Sequence, residues 1–111
     1  MPFRPSSVVV HPDVQGMYNR LETSSGNGKQ PERSVWKALN TAVIRIKADG
    51  LWGEVIPKSS IPVYFVSKYD LTNLYCVDLP AFHRVFYTIR GRDVVMLDLV
   101  DHKVYDRLMQ A

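Results

Sequence analysis

The spacing of apolar residues along this 111-residue chain changes several times, and each change predicts an element. Ser7-Val8-Val9-Val10 is a β-branched run long enough for one strand, and His11-Pro12-Asp13 stops it. Val14, Met17, Tyr18 and Leu21 then recur at i, i+3, i+4 and i+7, the apolar stripe of a helix. Pro12 suits the first turn, where its missing N–H would have no partner, while Gly16 weakens the helix. Residues 23–30 are polar and glycine-bearing, a loop between two helices. Pro31 opens the second helix with Glu32 in its first turn, favourable for the helix dipole. Val35, Trp36, Leu39, Ala42, Val43 and Ile46 share its apolar face, and Lys47 with Gly50 forms its stop. Two adjacent amphipathic helices are expected to pair antiparallel over one face of a sheet.

Residues 51–72 carry two prolines, Pro57 and Pro62, and no clean period. They predict an irregular connection with a helical turn or an edge strand near residues 63–66, Trp52 as a packing residue, and a turn over 69–73. Three strands are expected next, over residues 73–80, 82–90 and 94–100, with Arg90-Gly91-Arg92-Asp93 turning the second into the third. Strand alternation puts Val85, Tyr87 and Ile89 on a buried face and Arg84, Phe86 and Thr88 on an open one. In the third strand Val95, Leu97 and Leu99 alternate with Met96, Asp98 and Val100. Asp101-His102-Lys103 breaks that pattern before a short final helix over 104–109. The expectation is one α+β domain over residues 1–111: an N-terminal strand, a two-helix hairpin, a three-strand antiparallel meander and a short C-terminal helix.

Composition adds limits. With 46% hydrophobic and 23% charged residues, the chain has the profile of a globular protein that buries its own core. A single cysteine, Cys76, excludes an intrachain disulfide and reads as a small buried hydrophobe. No apolar run reaches the ~18–20 residues that span a membrane. The start Met1-Pro-Phe-Arg-Pro5 lacks the hydrophobic core of a signal peptide, so a cytoplasmic location without a membrane partner is expected. A net charge of +3 permits a nucleic-acid partner without demanding one.

Candidate chemistry gathers in the last third. Arg84 stands among apolar neighbours, either gripping an anionic or planar ligand or clamping Asp78 or Asp98 across the sheet. His102 carries an imidazole, the side-chain type suited to proton transfer near neutral pH, or it is a turn or cap residue. His83 falls on the opposite face from Arg84 in a regular strand, which favours packing or a bulge. Tyr105 either meets a ligand or anchors the core beside Leu108 and Met109. Arg90 and Arg92 at the hairpin tip are solvated or reach RNA phosphates. No ligand spacing around Asp98 and Asp101 resembles a zinc site, and neither a phosphate-cradling glycine loop nor a nucleophile elbow occurs.

The order of elements, with Leu74-Tyr75-Cys-Val-Asp-Leu79, His83-Arg84-Val85-Phe86-Tyr87 and Asp101-His102-Lys103-Val104-Tyr105, resembles the RelE/ParE toxin superfamily. The middle block is similar to the family's Tyr-Arg-hydrophobic-hydrophobic-Tyr segment, and the last to its basic turn with a following tyrosine. The resemblance implies a RelE-like toxin of a type II toxin–antitoxin module, a ribosome-dependent mRNA endoribonuclease. Such enzymes generate a 2′,3′-cyclic phosphate and require no metal or other cofactor. By position it gives Arg84 the scissile phosphate, His102 the role of acid, Lys103 electrostatic help and Tyr105 substrate stacking. It also implies a small antitoxin as partner, beside the ribosome and mRNA. Where RelE carries two lysines one residue apart in the first meander strand, this chain has Cys76 and Asp78. That exchange also suits a RelE-fold binding module without nuclease activity, or a ParE-like toxin directed at DNA gyrase.

Overall fold

The structure, a computed structural model, describes residues 2–28 and 30–110 and is built on one five-stranded sheet. At one edge β1 (Ser7–Val10) runs parallel to β5 (Asp93–Asp101). Next to β5 lies β4 (His83–Arg90), then β3 (Tyr75–Leu79), and the two-residue β2 (Glu54–Val55) closes the far edge, all antiparallel. The expected three-strand meander is therefore present, but it sits between a parallel strand and an added edge strand. Among the described residues there are four α-helices: α1 (Gln15–Gly26), α2 (Glu32–Ala48), α3 (Val63–Tyr69) and α4 (His102–Gln110).

Helices cover both sheet faces. Val35, Leu39, Ala42 and Ile46 of α2, with Tyr18 and Leu21 of α1, bury Val77, Val85, Tyr87, Val94 and Met96. On the opposite face Phe65 and Tyr69 of α3 bury Leu74, Cys76, Phe86, Leu97 and Val100, and Tyr105 and Leu108 of α4 pack beside them. This corrects the open face expected for Arg84, Phe86 and Thr88. Phe86 and Thr88 are buried, because residues 63–69 form a helix that packs there. Thr88 stays satisfied through its hydroxyl, 2.8 Å from the Asn73 carbonyl. Only the Arg84 end of the stripe meets solvent.

The alternation expected in the third meander strand fails midway. Val85 pairs Leu99 and Tyr87 pairs Met96, so Phe86 alone opposes both Leu97 and Asp98, a β-bulge. The extra residue moves Leu99 to the α1/α2 face and leaves Leu97 and Val100 on the α3/α4 face. Beyond the end of β1, α1 partners the edge of β5: the Tyr18 hydroxyl donates to the Leu97 carbonyl at 2.6 Å, and Met17 Sδ accepts from the Leu99 N–H at 3.2 Å.

Tyr87 fixes the loop after α2. Its hydroxyl donates to the Gly50 carbonyl and accepts from the Gly53 N–H, each at 2.8 Å. A Cβ at Gly53 would lie 2.7 Å from the Tyr87 ring, so the close approach requires glycine. Trp52, between these contacts, is exposed rather than packed, with the Arg45 guanidinium 5.7 Å from its ring centre. No helix among the described residues is long and apolar enough to cross a membrane.

Candidate functional site

The pairing of His83 with Asp101 brings the β3–β4 hairpin beside the start of α4. Asp101 caps that helix: its carboxylate accepts from the Val104 N–H at 3.0 Å, and this bond holds its pKa below the ordinary value. The first turn of α4 therefore faces the hairpin. Between them lies a cleft of about 380 Å³, lined by Asp78, Leu79, Ala81, Phe82, His83, Arg84, His102 and Tyr105.

Arg84 is the centre of the cleft. Its Nε lies 2.8 Å from Asp78 Oδ1, its register partner on β3. The Tyr105 ring stacks on the guanidinium, ring centre to Cζ 4.3 Å, and on Phe86 with centres 6.0 Å apart. Cys76 completes the surround, its Sγ 4.0 Å from Nη1. Burial draws the Arg84 pKa down, but Tyr105, Asp78 and Cys76 together raise it above the ordinary arginine value. Burial likewise pushes the Cys76 thiol up, against the pull of Arg84. Cys76 and Asp78 thus share a face of β3 with Arg84 opposite.

Two histidines flank this centre. His102 Nε2 stands 3.1 Å from Asp106, one helical turn on. His83 Nδ1 lies 2.8 Å from the Ala81 carbonyl, and a carbonyl only accepts, so Nδ1 carries a proton and, in the neutral ring, Nε2 carries the lone pair. His83 lines the cleft rather than packing under the helices, because it is the first residue of β4, past the end of the covered face. Each cation or imidazole in the cleft has a carboxylate opposite: Asp78 for Arg84, Asp106 for His102 and Asp101 for His83.

Of the residues singled out in the sequence, Arg84, His102 and Tyr105 converge on the cleft. Lys103 lies outside it, on an adjoining open groove with Phe82, Asp101 and His102. Arg90 and Arg92 are at the opposite end of β4, six and more residues from Arg84, about 20 Å along a strand. Both are exposed, and each also makes a local hydrogen bond: Arg90 Nη2 donates to the Tyr69 carbonyl, and Arg92 exchanges hydrogen bonds with Ser6.

One buried polar cluster was not anticipated. Asp98, at the bulge, accepts hydrogen bonds from the hydroxyls of Tyr64 and Tyr69 on α3, with Lys68 Nζ at 4.0 Å. The visible signal is a lone carboxylate inside the apolar run 94–100. No protein-family model, curated protein or solved structure matches this chain.

Proposed function

We propose that the chain is a RelE-like toxin that cleaves messenger RNA in the ribosomal A site, held in check by a cognate antitoxin over the cleft. The observation that carries this reading is the meeting of Arg84, His102 and Tyr105, from two separate segments, in one cleft. Cleavage by the ribose 2′-oxygen needs three things: a base for its proton, an acid for the departing 5′-oxygen and a cation for the phosphorane between. In this reading His83 takes the 2′-hydroxyl proton on Nε2, the lone pair that the Ala81 carbonyl leaves exposed. The 2′-oxygen bonds to phosphorus, the bond to the 5′-oxygen breaks, and protonated His102 supplies its proton. Arg84 meets the phosphorane charge, Lys103 adds positive potential from the rim, and Tyr105 holds the guanidinium in place. Arg90 and Arg92 are too distant to touch the same phosphate.

A second reading is a RelE-fold binding module without nuclease activity, favoured by the carboxylate beside each of Arg84, His102 and His83. Induced expression of wild type, Arg84→Ala and His102→Ala, with primer-extension mapping of a reporter mRNA, separates the two. Breaks phased with codons, lost in both variants, support the ribonuclease. Normal growth and uncut mRNA with a folded, soluble protein support the binding module.

A further inference from the structure

The β3–β4 turn is built from residues that do not suit its geometry. The His83 N–H reaches the Pro80 carbonyl at 3.3 Å, and the central residues Ala81 and Phe82 have φ of +57° and +59°. Two successive left-handed residues make a type I′ turn, which asparagine and glycine fill without strain. Phe82 has a Cβ and a ring to accommodate, and it is 81% exposed, so burial returns almost nothing for the strain. A strained residue that the flanking ladder holds in solvent is a signature of a working site.

The ring is placed where a ligand would use it. Phe82 borders both the Arg84 cleft and the neighbouring groove of about 520 Å³. Its ring centre lies 6.1 Å from that of His102, tilted by 52°. The other groove residues, Asp101 and Lys103, are polar and exposed, and Lys103 forms no ion pair among the described residues. An exposed aromatic face beside the His102 imidazole, with the Lys103 ammonium on the same groove, matches a flat base whose backbone carries phosphate.

We propose that Phe82 is a nucleobase-stacking residue, gripping the base next to the phosphate held at Arg84 while Lys103 meets the adjoining phosphate. The inference rests on the RNA reading of the cleft and names the element that positions the strand in it. The test measures binding of a single-stranded RNA oligonucleotide, free at low salt and as the A-site codon of programmed ribosomes, with an abasic analogue in parallel. Phe82→Ala and Phe82→Leu are expected to weaken binding on the order of tenfold, and Phe82→Trp to retain it. The abasic analogue should bind wild type and Phe82→Ala alike. Wild-type affinity in Phe82→Leu would reduce Phe82 to an apolar contact and overturn the stacking. Unchanged affinity in Phe82→Ala alongside loss in Arg84→Ala would overturn the inference while leaving the RNA reading intact. No binding by wild type in either format would overturn both.

Discussion

Arg84 and Asp78 face one another across the β3–β4 ladder with Nε and Oδ1 2.8 Å apart, so the guanidinium at the centre of the cleft is already engaged. Asp78 is 70% exposed, and a pair so open to water is screened. Asp78→Asn should therefore change stability by less than about 1 kcal/mol in urea denaturation. If Arg84 meets a phosphate, the same substitution frees it and removes a repelling carboxylate, raising RNA affinity by about threefold to tenfold. Filter binding at low salt reads the change. Unchanged affinity in a stable variant would detach Arg84 from phosphate recognition.

Asp98 is held by different forces, and its loss should be costly. The carboxylate is buried, and both tyrosine hydroxyls of α3 donate to it. Asp98→Ala leaves Tyr69 with a buried donor and no acceptor, and about 3 kcal/mol of stability should be lost. Tyr69→Phe removes one charge-assisted bond, on the order of 2 kcal/mol. The double variant should lose less than the sum, since both substitutions break one network. Additive losses in urea denaturation would show that the two groups act separately.

These two clusters also mark how far the sequence could be read. The helices α1 and α2 repeat their apolar residues over several turns, and Val14, Tyr18, Leu21, Val35, Leu39, Ala42 and Ile46 are buried as that period requires. The meander strands were equally visible, and Val85 and Tyr87 face the helical hairpin as alternation demands. By contrast α3 contributes only Phe65 and Tyr69 to the core, one i,i+4 pair between prolines and a left-handed Asp70, too short for a period to emerge. The strand β2 is two exposed residues defined only by its pairing with Cys76 and Tyr75. The bulge adds one residue to β5, and period-two reasoning places every side chain beyond it on the wrong face. In the site, Arg84, His102 and Tyr105 were legible by type, whereas the cleft wall supplied by His83 and Phe82 depends on turn geometry. Arg90 and Arg92 fall at the hairpin tip expected for them, at the far end of the strand from Arg84.

Tyr87 ties stability to alkaline pH. Burial pushes its phenol up to about 12, partly offset by the Gly53 N–H. Tyr18, Tyr64 and Tyr69 are raised too, chiefly by burial and next by Asp98. A phenol whose folded pKa exceeds the unfolded value of about 10 contributes its stability in full below that pH. The contribution is lost as pH rises from there toward the folded value. Phenolate absorbance should consequently lag through the alkaline range and then rise together with the loss of ellipticity. Tyr87→Phe should lose about 1–2 kcal/mol at neutral pH and show a shallower alkaline decline. Smooth phenolate formation without unfolding would contradict the buried assignments.

The strain at the β3–β4 turn can be removed without touching the core. Phe82 is almost wholly exposed, so its side chain contributes little burial to the folded state. Glycine adopts its left-handed conformation freely, although glycine also enlarges the unfolded ensemble by about 0.5–1 kcal/mol. The relief of about 1–2 kcal/mol exceeds that penalty by a small margin. Asparagine at Ala81 adds a residue that tolerates the same region, and Asn-Gly is the preferred filling of this turn. The double variant Ala81→Asn/Phe82→Gly should therefore gain about 1 kcal/mol, seen as a higher urea midpoint with an unchanged slope. If Phe82 is retained for stacking, the same variant should bind single-stranded RNA more weakly, so that stability rises while affinity falls. A variant less stable than wild type would mean that Phe82 contributes to the fold through contacts its exposure conceals, and its strain would then need no functional explanation.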